Sequence, residues 1–268
     1  SEAYANYLSQ QGARIDGMIA MDMISHIALP GGAIDSVSLR LYASGNGDQG
    51  GTASPSRNLQ RYLKWVGEAY ADMDIFQMVI FAATDRPGRG SDHISFSNAG
   101  YAALRVIERN EDLAYQHNAN DLPQYLSPTY ARRIARCTFG GLLTMLMAPP
   151  PPPAPLVEQI APDRVRVTIP DAVALPAGQR FLMTRREYTN NYFDVIVDLD
   201  TARVHEFMVT PGPVYAFSVS RVNTDNLPSP FSTETTIWVL DADGPPTPIP
   251  GRCCAPPARS LNAGRGPC

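Results

Sequence analysis

The side chains best able to act together lie in three short segments. The first, residues 17–24 (GMIAMDMI), carries Asp22 at the end of an apolar run. If that run is a strand, Asp22 sits at the carboxyl edge of a sheet, where open α/β sheets bind ligands. The other reading is a strand-end Asp that caps the next turn. The second segment, residues 90–96 (GSDHISF), offers Ser91, Asp92 and His93 in succession. Those residues equally suit a polar loop whose Ser or Asp opens a short helix. The third, residues 115–121 (YQHNAND), sets His117 four residues before Asp121. A loop histidine and a nearby carboxylate can act as a metal ligand and its supporting partner; a solvated surface histidine is the alternative. Imidazole nitrogen and carboxylate oxygen are both zinc donors. The sequence has no Gly-x-Ser-x-Gly elbow and no Cys-His arrangement to supply a side-chain nucleophile.

Elements must be found to position these residues. Residues 2–11 read as a helix closed by Gly12. Residues 14–24, 38–43, 76–82 and 101–107 read as strands. Ser54 followed by Pro55 starts a helix through residue 70, and Ser127 with Pro128 caps a long one whose apolar face is read as Ile134, Cys137, Leu142 and Leu146. Alternation of this kind implies an α/β sheet covered by helices. The proline run 149–153, continued by Pro155, marks a boundary. Such a run adopts polyproline II and acts as a semi-rigid spacer. Beyond it, residues 164–169, 181–185, 193–199, 204–209, 214–222 and 233–240 read as strands between turn residues, the pattern of a β-sandwich. Residues 241–268 are rich in Pro, Gly and Ala and read as an extended tail.

The 268 residues suffice for two domains, and 44% hydrophobic against 18% charged content fits a folded chain. A net charge of −4 argues against nucleic acid as partner. No stretch reaches the roughly 18 apolar residues of a membrane span. No leader is recognised, and Ser1 in place of Met reads as a processed or partial product. Cys253, Cys254 and Cys268 in the tail suggest disulfides and an extracellular setting, within or between chains.

Taken in order, the three segments resemble secreted two-zinc aminopeptidases and their glutamate carboxypeptidase-like relatives: a strand ending Asp-Met, then Ser-Asp-His, then a His with an Asp four residues on before a final long helix. The resemblance covers residues 1–148. Residues 215–223 and 227–232 resemble the last two strands of a fibronectin type III domain. The implied architecture is therefore part of a three-layer α/β zinc-exopeptidase domain (1–148), a polyproline linker (149–155), a fibronectin type III-like sandwich (156–240) and a tail (241–268). The family holds two zinc ions about 3.5–4 Å apart. By resemblance Asp22 binds one zinc, His117 binds the other, Asp121 supports His117, and Ser91, Asp92 and His93 shape a loop beside a peptide substrate.

The departures are as informative. The family's His-x-Asp and Glu-Glu pairs are absent, and the latter includes its general base. The chain reads as beginning just after that base, with no catalytic residue of its own. One protein ligand per zinc falls short of the usual three, so the isolated chain is expected to hold zinc poorly and hydrolyse nothing without its N-terminal half or another chain. His26 reads as a loop residue. Two alternatives follow: an inactive peptidase-like subunit of an extracellular assembly, joined through sandwich and tail, or a single-zinc enzyme resembling glutaminyl cyclases.

Overall fold

The computed structural model describes residues 1–28, 31–43, 53–83, 85, 89–170 and 175–241. The tail cysteines Cys253, Cys254 and Cys268 lie outside the described residues.

The first half is a mixed sheet between helices. Strands β1 (Met18–Met21), β2 (Ser38–Tyr42), β3 (Gln77–Phe81) and β4 (Ala103–Glu108) are ordered β1-β4-β2-β3. β1 runs parallel to β4 and β2 parallel to β3, while β2 and β4 are antiparallel. Helix α1 (Glu2–Gln10) ends at Gly12, whose φ of +63° is left-handed and suits a residue without Cβ. Helix α2 (Pro55–Glu68) starts where Ser54 Oγ accepts the Arg57 N–H at 3.2 Å. Helix α3 spans Asp92–Asn98, and α4 spans Pro128–Met147, capped by Ser127 Oγ on the Tyr130 N–H at 3.3 Å. Leu39, Leu41, Met78, Leu104, Val106, Ile134 and Cys137 form the core between sheet and helices.

The predicted face of α4 is half right. Ile134 and Cys137 are buried, but Leu142 is only half-buried and Leu146 is 72% exposed. The buried positions beyond Cys137 are Thr138, Gly140, Gly141 and Thr144. The cause is close helix approach. A Cβ on Gly140 would lie 2.4 Å from the Tyr70 ring, and one on Gly141 would lie 2.5 Å from Leu63. Small residues, not leucines, therefore meet α2.

The second half is a sandwich of two antiparallel sheets, ordered β5-β6-β9 and β11-β10-β7-β8. Its strands are β5 (Leu156–Ala161), β6 (Arg164–Thr168), β7 (Arg180–Glu187), β8 (Val195–Asp200), β9 (Val204–Met208), β10 (Val214–Val222) and β11 (Thr235–Trp238). Three strands facing four is the fibronectin type III-like arrangement expected. The core comprises Val165, Val167, Phe181, Met183, Phe207, Phe217 and Val219. β5 was not among the expected strands. Its burial alternates between exposed and half-buried, and the apolar residues of LVEQIA fall on both faces rather than alternating with polar ones, so no period-2 pattern marks it.

The proline run is not a free spacer. Pro152 and Pro155 are buried, and the Pro155 carbonyl accepts the Thr235 hydroxyl at 2.7 Å.

Candidate active site

A cavity of about 650 Å³ opens at the carboxyl end of β1 and is lined by Asp22, His26, Arg89, Glu108, His117 and Asp121, among others. Asp22 and His117, far apart in sequence, thus face one space. Topology explains why. Asp22 directly follows β1, and its N–H donates to the Val106 carbonyl of β4 at 3.2 Å. β4 then leads through a short 3-10 turn (Leu113–Tyr115) into the loop that carries His117.

Each residue is held by a distinct device. Asp22 Oδ2 accepts from Arg105 Nη2 at 2.9 Å, while Arg105 Nη1 donates to Asp85 Oδ2 at 2.5 Å. Arg105 is buried, whereas the Asp22 side chain is 45% exposed. The turn after Asp22 is anchored by Glu108. Its Oε2 accepts the Ser25 and His26 N–H groups at 2.8 and 2.6 Å, and its own N–H donates to the Met23 carbonyl at 2.8 Å. Burial pushes the Glu108 carboxyl up to about 7 against the opposing pull of those two N–H groups. His117 adopts φ +58° and Met23 φ +57°. Non-glycine residues in this region are strained, and such strain gathers at functional sites. Asn118 stabilises the His117 turn. Its Nδ2 donates to the Ala114 and Gln116 carbonyls at 3.1 and 2.9 Å, and its Oδ1 accepts the Asn120 N–H at 2.8 Å.

Asp121 lines the same cavity, and its N–H donates to the Asn118 carbonyl at 3.1 Å. The Ser91–Asp92–His93 segment is placed differently from a substrate loop. Ser91 is the N-cap of α3, Asp92 lies in its first turn, and His93 is fully buried. The preceding Arg89 and Gly90 line the cavity instead. Arg89 Nη2 donates to Gln116 Oε1 at 3.3 Å and lies 3.7 Å from Glu111, which also pairs with Arg40.

Arg105 and Glu108 were not anticipated. Their signal was available: two charges three apart inside an apolar strand, all six residues of which are buried. Such charges require partners. The Tyr115–Tyr125 ring pair, with centroids 4.2 Å apart, was missed because each ring ends a separate three-residue 3-10 turn that leaves no periodic pattern in the sequence.

Zinc takes oxygen and nitrogen donors of the kind Asp22 and His117 offer. Among the described residues, however, no group of three or more His, Cys, Asp or Glu side chains could hold a metal. The donor types fit zinc, and their number falls short of a closed site.

The profile of peptidase family M28 matches residues 1–140, just over half of the 268 residues. The chain belongs to peptidase family M28. This is a zinc-metallopeptidase family, and its relatives bear that name. A probable zinc metalloprotease of Phaeosphaeria nodorum is 27% identical over 172 residues, covering 56% of this chain and 34% of the relative. One from Pyricularia oryzae is 29% identical over 162 residues, covering 51% and 32%. The M28 chain therefore spans about a third of the length of these curated relatives. Among solved structures, chicken CNTN1 FN1–FN3 domains match at 15% identity and TM-score 0.30, over 35% of this chain and 33% of that one. A cytokine receptor complex matches at 17% and 0.30, over 35% and 53%. At that score they carry no argument, and the sandwich is read from its own strand order. Among the described residues no helix is long and apolar enough to cross a membrane.

Proposed function

We propose that this chain supplies part of the active site of a secreted, two-zinc exopeptidase of the aminopeptidase type. The observation that carries this reading is the shared cavity lined by Asp22 and His117. Asp22 would bind one zinc and His117 the other, with Asp121 supporting the His117 loop. Arg105 and Asp85 hold the Asp22 carboxylate in place, and Glu108 fixes the turn that follows it. Zinc held there would lower the pKa of a water so that hydroxide, the nucleophile for a peptide carbonyl, is available near neutral pH. Arg89 and Gly90, with the Tyr115–Tyr125 pair, wall the space a peptide end would enter.

With one protein ligand for each zinc, the 268-residue polypeptide by itself is expected to bind zinc weakly and to release no amine from aminoacyl nitroanilides. Calorimetric zinc titration and a chromogenic assay check both points. Tight binding of two equivalents by this polypeptide alone would overturn the proposed division of ligands.

A second reading rests on the Asp22–Arg105 ion pair. A buried guanidinium already neutralises part of the proposed metal ligand, which suits a metal-free subunit of an extracellular assembly. Natively isolated protein free of zinc would favour it.

A further inference from the structure

The two central strands of the sandwich's four-stranded sheet, β7 and β10, are buried on both faces. Along β7 and β10, Phe181, Met183, Tyr215, Phe217 and Val219 face the core shared with the other sheet. The alternate residues Thr184, Arg186, Ala216, Ser218 and Ser220 face the other way, yet each is at most 1% exposed. An antiparallel sheet usually leaves its second face in water. Here that face is small and polar, with internal partners. Thr184 Oγ1 and Ser218 Oγ lie 2.7 Å apart, and Ser220 Oγ donates to the Ser229 carbonyl at 2.8 Å.

Helix α2 docks onto this half of the chain. The Arg61 guanidinium is 3.5 Å from Glu234, which also binds Arg186 through two bonds of 2.8 and 2.6 Å. All three side chains are at most 1% exposed. Arg57 Nη2 donates to Asn191 Oδ1 at 2.8 Å, Asn58 Nδ2 to the Ser232 carbonyl at 3.0 Å, and the Tyr62 hydroxyl to the Pro228 carbonyl at 2.8 Å. Between them Tyr62 and Val66 pack with Phe193 and Phe231 as an apolar cluster joining both halves. The same Arg57 reaches the other way, donating through Nη1 to the Phe81 carbonyl at the end of β3 at 3.0 Å.

We infer that the sandwich is a structural brace for α2, and that the two halves fold and unfold as one cooperative unit. It is more than a tethered module: its 190–193 turn and its 228–234 segment are engaged by α2 inside the chain. The reason is electrostatic as well as apolar. Glu234 balances two buried guanidiniums, Arg61 of α2 and Arg186 of β7, and removing that carboxylate while the joint stays closed is strongly destabilising.

Calorimetry on the unmodified chain is expected to show one transition whose van't Hoff and calorimetric enthalpies agree. Two separate transitions would overturn the inference. A protease site placed at the exposed Pro150–Pro151 lets the halves be cut apart after folding. They should still elute together on size exclusion at micromolar concentration, and their separation into two folded pieces would contradict the brace. Glu234→Gln should lower the midpoint by roughly 10 °C. Hydrogen exchange should show α4 and β10 amides losing protection together. Loss in β10 alone, with α4 unchanged, would show independent domains. If that variant does not fold, the cleavage result decides.

Discussion

The proposed site depends on individual buried charges more than on the residues that announce it. Arg105 fixes Asp22 from below, and Glu108 fixes the turn beside it. Glu108 also gives the chain a pH signature. Its folded pKa of about 7 lies above the ordinary carboxyl value of 4.5, so folding favours the protonated form. The stabilisation is fully present below about pH 4.5 and is lost as pH rises through about 7. Glu108→Gln keeps an acceptor for the Ser25 and His26 N–H groups and removes the charge. Relative to the parent chain, its unfolding free energy should rise progressively between pH 5 and 8, by on the order of 3 kcal/mol at most, read from urea denaturation at each pH. A difference that stays flat across that range would show that Glu108 does not titrate there. Asp22 and His117 were legible in the sequence because each ends or interrupts a simple pattern. Arg105 and Glu108 were passed over, although two charges three apart at an apolar strand signalled buried partners, because neither belongs to a recognised motif.

At the scale of elements, burial is decided by approach distance as much as by hydrophobicity. The helix-spaced leucines of α4 suggested a face that the structure turns partly outward, while Gly140 and Gly141 occupy the contact with Tyr70 and Leu63. Gly141→Ala should therefore destabilise by about 1–3 kcal/mol, as overpacking does. Leu146→Ala, at an exposed position, should change stability by no more than about 0.5 kcal/mol. Urea denaturation of the two variants checks the contrast, and equal effects would mean the faces are misassigned. Helix starts at Ser54-Pro55 and Ser127-Pro128 were readable because cap and proline chemistry is local. Strand β1 covers only Met18–Met21 of the expected 14–24: residues 14–17, RIDG, carry two charges and a glycine, and neither they nor residues 22–24 extend the paired register. Periodicity does not report which neighbour a strand has. The order β1-β4-β2-β3 and the antiparallel step between β2 and β4 had no sequence signature.

At the scale of the whole molecule, the proline run lies between the last helix and the first sandwich strand, and it was a poor guide to mechanics. Composition changes across it, but the halves remain joined through α2, Glu234 and the Tyr62–Phe231 cluster. That contact was invisible in the sequence because it pairs residues on either side of the run, and no local pattern records such a pairing. Burial pushes the Arg61 guanidinium down to about 9, with Glu234 opposing the shift, so Arg61 stays charged at neutral pH. The joint is thus expected to survive ordinary salt, because buried pairs are screened far less than exposed ones.

The central claim, that Asp22 and His117 are zinc ligands in one site, is tested most directly by the metal content of natively isolated protein. It is measured by mass spectrometry together with the intact mass of every polypeptide present. About two zinc ions per complex are expected, with one lost in Asp22→Asn and one in His117→Ala while the chain's thermal midpoint is retained. Unchanged zinc in both variants would place the metal elsewhere and contradict the assignment.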